Sequence, residues 1–152
     1  MRTIRNNLLK ITGLLALMTV ALSLAQEGAM SLNLAESADH GQFLADSNGM
    51  ALYIFAPDAQ GASTCTGDCA VNWPPVTVES ADALPTLGEG LDSALLGTVE
   101  REDGTLQLTY NGWPLYYFGG DTEAGQTNGQ AVGGNWFLLD PMGAGIGMEP
   151  AG

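Results

Sequence analysis

From residue 30 onward, apolar and polar positions alternate in short runs, and this period of two predicts strands. Residues 30–35 (MSLNLA) put Leu32 and Leu34 on one face. Asp39-His40-Gly41 is a turn, and residues 42–45 read as a second strand. Ser47-Asn48-Gly49 is a hairpin signal, because Asn and Gly accept the positive φ of tight hairpin turns. Residues 50–56 make a third strand with Tyr53 and Phe55 on one face and Leu52 and Ile54 on the other. The same plan returns at 95–101, 105–110 and 113–118, with Asn111-Gly112 as the second hairpin turn. Here Tyr116 and Phe118 share a face opposite Leu115 and Tyr117. Apolar residues on both faces predict central rather than edge strands. Closing strands are expected at 76–78 and 136–139.

The pattern is a repeat of sequence as well as of periodicity. Asn48-Gly49 to Asp58 reappears as Asn111-Gly112 to Asp121, an offset of 63. At the same spacing Gly41 falls on Gly104, Thr64 on Thr127, and Asn72-Trp73 on Asn135-Trp136, which predicts one ungapped duplication. A single repeat is shorter than what usually folds alone. The expectation is one all-β domain over 26–141, a small sandwich or distorted barrel of two tandem repeats related by a pseudo-twofold axis. Repeat one covers about 29–78, a linker 79–93, and repeat two about 94–141. Pro85, Gly88 and Gly90 break regular structure in the linker. Residues 142–152, rich in Gly and Met, are expected to fray.

The first 25 residues break this pattern. Arg2, Arg5 and Lys10 precede an apolar run at 11–22 and then Ser23-Leu24-Ala25, the order of a secretory signal peptide. The run falls short of the roughly 20 apolar residues that span a bilayer, so no stable membrane span is expected after cleavage. Beyond the leader a single basic residue, Arg101, faces 17 acidic residues, a net charge of about −16 with His40 neutral. Such a surface repels nucleic acid and anionic lipid and attracts cations or basic partners. A periplasmic or secreted location is expected.

Candidate chemistry is sparse. Tyr53, Phe55 and Asp58 repeat as Tyr116, Phe118 and Asp121. The two Asp residues follow the strand, where a carboxylate accepts backbone N–H groups and fixes a loop, or joins Asn72 or Asn135 around a hard cation such as calcium. Trp73 and Trp136 either cap the core or line a ligand groove. Cys65 and Cys69 occur in one copy only, opposite Asn128 and Val132. Outside the cytoplasm their default is a disulfide stapling the loop; a redox pair or a soft-metal site for copper or iron is the alternative. Asp68 between them opposes thiolate formation. One turn His supports neither a catalytic triad nor a multi-His zinc site, and no phosphate-binding glycine loop precedes a helix. The expectation is therefore no enzyme and no required cofactor.

The Tyr-x-Phe-x-x-Asp kernel, Cys65-Thr66-Gly67-Asp68-Cys69-Ala70, Asn72-Trp73-Pro74-Pro75 and Thr127-Asn128-Gly129-Gln130 through Asn135-Trp136 together resemble the bacterial "secreted repeat" family. These are predicted envelope lipoproteins with a Tyr-x-(aromatic)-x-x-Asp motif. The resemblance spans about 41–141 and implies an extracytoplasmic, repeat-built protein with no assigned activity. No cysteine lies at the cleavage point for acylation, a departure from the lipoprotein pattern. The expected function is a non-enzymatic envelope module that binds a protein or small ligand. A metal-handling or electron-transfer accessory role, drawing on Met142 and Met148, is the alternative.

Overall fold

A computed structural model describes residues 30–149; the expected signal peptide, 1–25, and residues 150–152 lie outside the described residues. Repeat one contains strands β1 (Ser31–Ser37), β2 (Gly41–Asp46) and β3 (Tyr53–Phe55), a short helix α1 (Asp68–Asn72) and strand β4 (Thr77–Val78). The linker carries β5 (Thr86–Leu87). Repeat two contains β6 (Leu96–Glu100), β7 (Leu106–Tyr110), β8 (Trp113–Pro114) and β9 (Trp136–Leu138). The fold is an all-β sandwich with open sheets. Alternation locates most of its strands, but the third strand of each repeat is shorter than expected, Tyr53–Phe55 within 50–56 and Trp113–Pro114 within 113–118, with isolated bridges at Ala51 and Tyr116. The short α1 and β5 lie in stretches whose pattern predicts loop.

The two hairpins share one pairing register. Leu34 pairs with Leu44 across β1 and β2, and Thr98 pairs with Leu108 across β6 and β7. These equivalent positions are 64 apart, whereas Tyr53 and Tyr116 are 63 apart, so the ungapped offset is corrected by one residue. The slip occurs at the hairpin turns. Tyr110 and Trp113 flank the two-residue turn Asn111-Gly112, where both φ are positive, 52° and 78°. In repeat one the turn is longer: the Asp46 carboxylate accepts the N–H groups of Asn48 and Met50 at 2.8 and 3.0 Å.

The halves do more than pack face to face, because each closes the other. Strand β9 of repeat two pairs with β3 of repeat one, and β4 of repeat one pairs with β7 of repeat two. The Val76 N–H donates to Leu115 O, and its carbonyl accepts from Leu108 N. Equivalently, Leu139 O accepts from Leu44 N. At the centre Tyr53 and Tyr116 exchange both backbone hydrogen bonds, 2.8 and 2.9 Å, which puts the pseudo-twofold axis between them. The core is correspondingly mixed. Leu32, Leu44, Leu52, Ile54 and Val76 pack with Leu108, Leu115, Phe137 and Leu139. Phe43, Tyr53, Cys65 and Trp73 pack with Tyr116, Trp136 and Leu138.

The segment beyond Asp140, expected to fray, is tied down as far as Met148. The Asp140 carboxylate accepts the N–H groups of Met142 and Ala144, Ile146 N donates to Leu138 O, and Gln130 Nε2 donates to Ile146 O. Met148 packs against the core. Glycine content suggested mobility, but here it supplies turns, with Gly143 and Gly147 at φ 85° and 75°.

Candidate functional site

The repeated Tyr and Asp residues meet across the axis, each pairing with its counterpart from the other copy. Pro57 starts a 3₁₀ turn at Ala56–Asp58, and left-handed Ala59 ends it, so Asp58 turns inward to 4 % exposure. Its Oδ2 accepts from the Tyr116 hydroxyl at 2.7 Å, and its Oδ1 accepts from the Thr64 N–H and hydroxyl at 2.8 and 2.6 Å. Asp121, 7 % exposed, accepts from the Tyr53 hydroxyl at 2.6 Å and from Asn128 N at 2.9 Å. The motif is thus two reciprocal inter-repeat bonds, with each carboxylate also organising its own loop.

Burial penalises the phenolates, and the adjoining carboxylates add to this. Tyr116 is pushed from an ordinary 10.0 up to about 12, partly offset by its Ser63 bond. Tyr53 is raised too, by burial first and by Asp121 second. A third pair, Tyr117 with Asp46, joins the halves at 2.9 Å and raises Tyr117 in the same way. Repeat one has Ile54 where Tyr117 stands, so comparing the copies did not reveal this pair.

Above the tyrosines four rings form one stack, in the order Phe55, Trp136, Trp73, Phe118. Centroid distances are 4.4, 3.8 and 4.2 Å, and the two indoles are parallel within 1°. Tyr53 and Tyr116 meet the stack edge-on, at 5.5 Å to Trp73 and 5.1 Å to Trp136. The edge-on contacts are of the favoured T-shaped kind. Trp73 and Trp136 are 6 % and 5 % exposed, so they cap a core rather than line a groove. All eight candidate residues therefore come together around the axis.

Cys65 and Cys69 are disulfide-bonded, and the loop they close is held from the other repeat. Arg101 is 7 % exposed and donates to Cys65 O at 2.9 Å, Ser63 Oγ at 2.7 Å and Gln107 Oε1 at 3.0 Å. Gln107 in turn donates to Leu115 O at 2.7 Å. The Tyr116 proton goes to Asp58, so the 2.7 Å contact between Ser63 and Tyr116 must use the Ser63 proton. A directed chain results: Arg101 to Ser63 to Tyr116 to Asp58. In repeat two, Gly129 N takes the Ser63 role and donates to Tyr53 Oη at 3.1 Å. A Cβ at Gly129 would lie 2.8 Å from the Tyr53 ring and 2.9 Å from Trp73, so glycine is required there. Sequence reasoning missed Arg101, Ser63 and Gln107. The available signal was Arg101 itself, the one Lys or Arg after Lys10 in the sequence.

Between the disulfide loop and the β6–β7 turn lies a cleft of about 220 Å³, lined by Thr66, Gly67, Ala70, Arg101, Glu102 and Asp103. Asp103 is held below the ordinary carboxylate range by hydrogen bonds from the Thr105 hydroxyl and N–H. Among the described residues no three His, Cys, Asp or Glu side chains cluster as a metal site. Met142 is exposed, whereas Met148 is half-buried.

A family described as "secreted repeat of unknown function" matches residues 35–77 and 97–140. The chain belongs to this family. The two matched segments are the two halves of the sandwich, and the family's description puts these secreted repeats outside the cytoplasm. No curated protein and no solved structure matches the chain. Among the described residues, no helix of this secreted repeat is long and apolar enough to cross a membrane.

Proposed function

We propose that this secreted repeat is a non-enzymatic periplasmic or secreted binding module, in which the duplicated core is scaffold and the exposed loops and edges recognise a protein or small ligand. One observation carries the reading: the repeated carboxylates are consumed internally. Each oxygen of Asp58 and Asp121 already accepts a bond from Tyr, Thr or Asn. A general acid, base or nucleophile has to reach substrate, and these carboxylates are buried against tyrosine hydroxyls and their own loops. What is left outward is asymmetric: the stapled loop with Val71 74 % exposed, the opposite loop with Val132 38 % exposed, and the acidic cleft.

Asp58→Asn and Asp121→Asn separate scaffold from catalysis. Each is expected to cost about 1–3 kcal/mol of unfolding free energy, the penalty for disturbing a buried hydrogen-bonded acceptor. Denaturant titration reads the cost. A turnover of the natural protein that vanishes in a folded Asp variant would replace this reading with that of a hydrolase. The metal-handling alternative is tested by elemental analysis of protein purified from its own compartment, where stoichiometric copper or iron would favour it.

A further inference from the structure

The two halves treat one sheet edge differently. In repeat one the outer edge of β1 is covered by the linker: β5 runs parallel to it, Ser31 opposite Thr86 and Leu32 opposite Leu87, and Gly88 N donates to Leu32 O at 2.7 Å. The equivalent strand in repeat two, β6, ends its sheet, whose order is β4-β7-β6. No described strand pairs with its outer side. Arg101 N bonds Thr105 O and Asn111 N bonds Leu95 O, so the odd positions of β6 face β7. Alternation then turns the backbone groups of Leu96, Thr98 and Glu100 outward. The 3₁₀ turn Ser93–Leu95 takes the Leu96 N–H. That leaves Leu96 C=O and both groups of Thr98 and Glu100 as a ready template.

Two further features indicate what would fit. Over β1 a Cβ at Gly88 would lie 2.6 Å from Asn33 Oδ1, so a side chain there would have to displace the Asn33 amide. The β6 counterpart of Asn33 is Gly97, so a strand laid on β6 can carry side chains at that position. The rim is acidic, with Glu100 on the strand and Glu102 and Asp103 just beyond it. With 17 acidic residues in the chain and Arg101 buried, a second copy is repelled.

We propose that the outer edge of β6 is a strand-addition site for an extended, cationic segment of a partner protein, which completes the sheet as β5 does in the other half. This deepens the binding-module reading by naming its partner class.

The probe is a blocked peptide of Thr-Lys repeated four times, with Thr-Glu repeated four times as control, titrated by NMR into the natural protein. Thr98→Pro deletes one outward N–H and leaves the β6–β7 ladder intact, because Pro is tolerated where its N–H would face away from the sheet. Thr98→Val retains the N–H. The lysine peptide should bind, slow amide exchange at Thr98 and Glu100, and weaken with salt. Affinity should fall about tenfold in Thr98→Pro, one hydrogen bond's worth, and hold in Thr98→Val. Equal binding to Thr98→Pro and the natural protein, or protection only in the stapled loop, would overturn the edge site and leave loop recognition standing. Concentration-dependent dimerisation abolished by Thr98→Pro would reassign the edge to a second copy. No binding of the lysine peptide to the folded natural protein would overturn the cationic-strand proposal.

Discussion

Tyr116 shows how much one side chain can hold. Its hydroxyl donates to Asp58, accepts from Ser63, and is linked through Ser63 to the buried Arg101. These bonds need the neutral phenol. Burial raises Tyr116 to about 12 and raises Tyr53 and Tyr117 as well, so the folded state disfavours the phenolate more than the unfolded chain does. The linkage has one sign. The stabilisation is complete below the unfolded value of about 10, and it is lost as pH rises through about 12. Denaturant midpoints should hold steady to about pH 10 and then fall steeply, with phenolate absorbance appearing together with unfolding. Phenolate forming near pH 10 in the folded protein, with no loss of stability, would contradict the buried pairs.

At the scale of elements, strand positions were legible because alternation is local. Residues 30–35 and 105–110, read as strands, lie within a residue or two of β1 and β7. The Asn111-Gly112 turn was legible for the same reason. Partnership was not legible: nothing in residues 76–78 says that they pair with β7 rather than with their own repeat. The Tyr-x-Phe-x-x-Asp kernel is plain in the sequence, yet as a local strand-and-turn device it does not disclose that Tyr and Asp bond in trans. Arg101 was missed because it lacks a counterpart; its equivalent in β1 is Ser37. The exchange has a direct consequence. Each repeat alone exposes an unfilled strand position and half a core, so 29–78 and 94–149 expressed separately should be largely unfolded. Mixed, they should regain near-ultraviolet dichroism from the Trp73–Trp136 stack. Native-like signal from either half alone would show that the closing strands are not needed in trans.

For the molecule as a whole, duplication has been spent on a lock. Hydroxyl–carboxylate bonds, exchanged strands and the four-ring stack all cross the same axis, so the halves cannot separate without breaking all of them. Functional freedom is left to what the copies do not share: the stapled loop, the acidic cleft and the open edge of β6. The claim beneath this is that the motif pairs across repeats, and a double-mutant cycle measures it most directly. Tyr53→Phe combined with Asp121→Asn should show a coupling of about 1.5–3 kcal/mol, that of a hydrogen bond to a carboxylate. Tyr53→Phe combined with Asp58→Asn, from the same repeat, should be additive within about 0.5 kcal/mol. Coupling in the second pair and additivity in the first would contradict the interlocked fold and the scaffold role assigned to the motif.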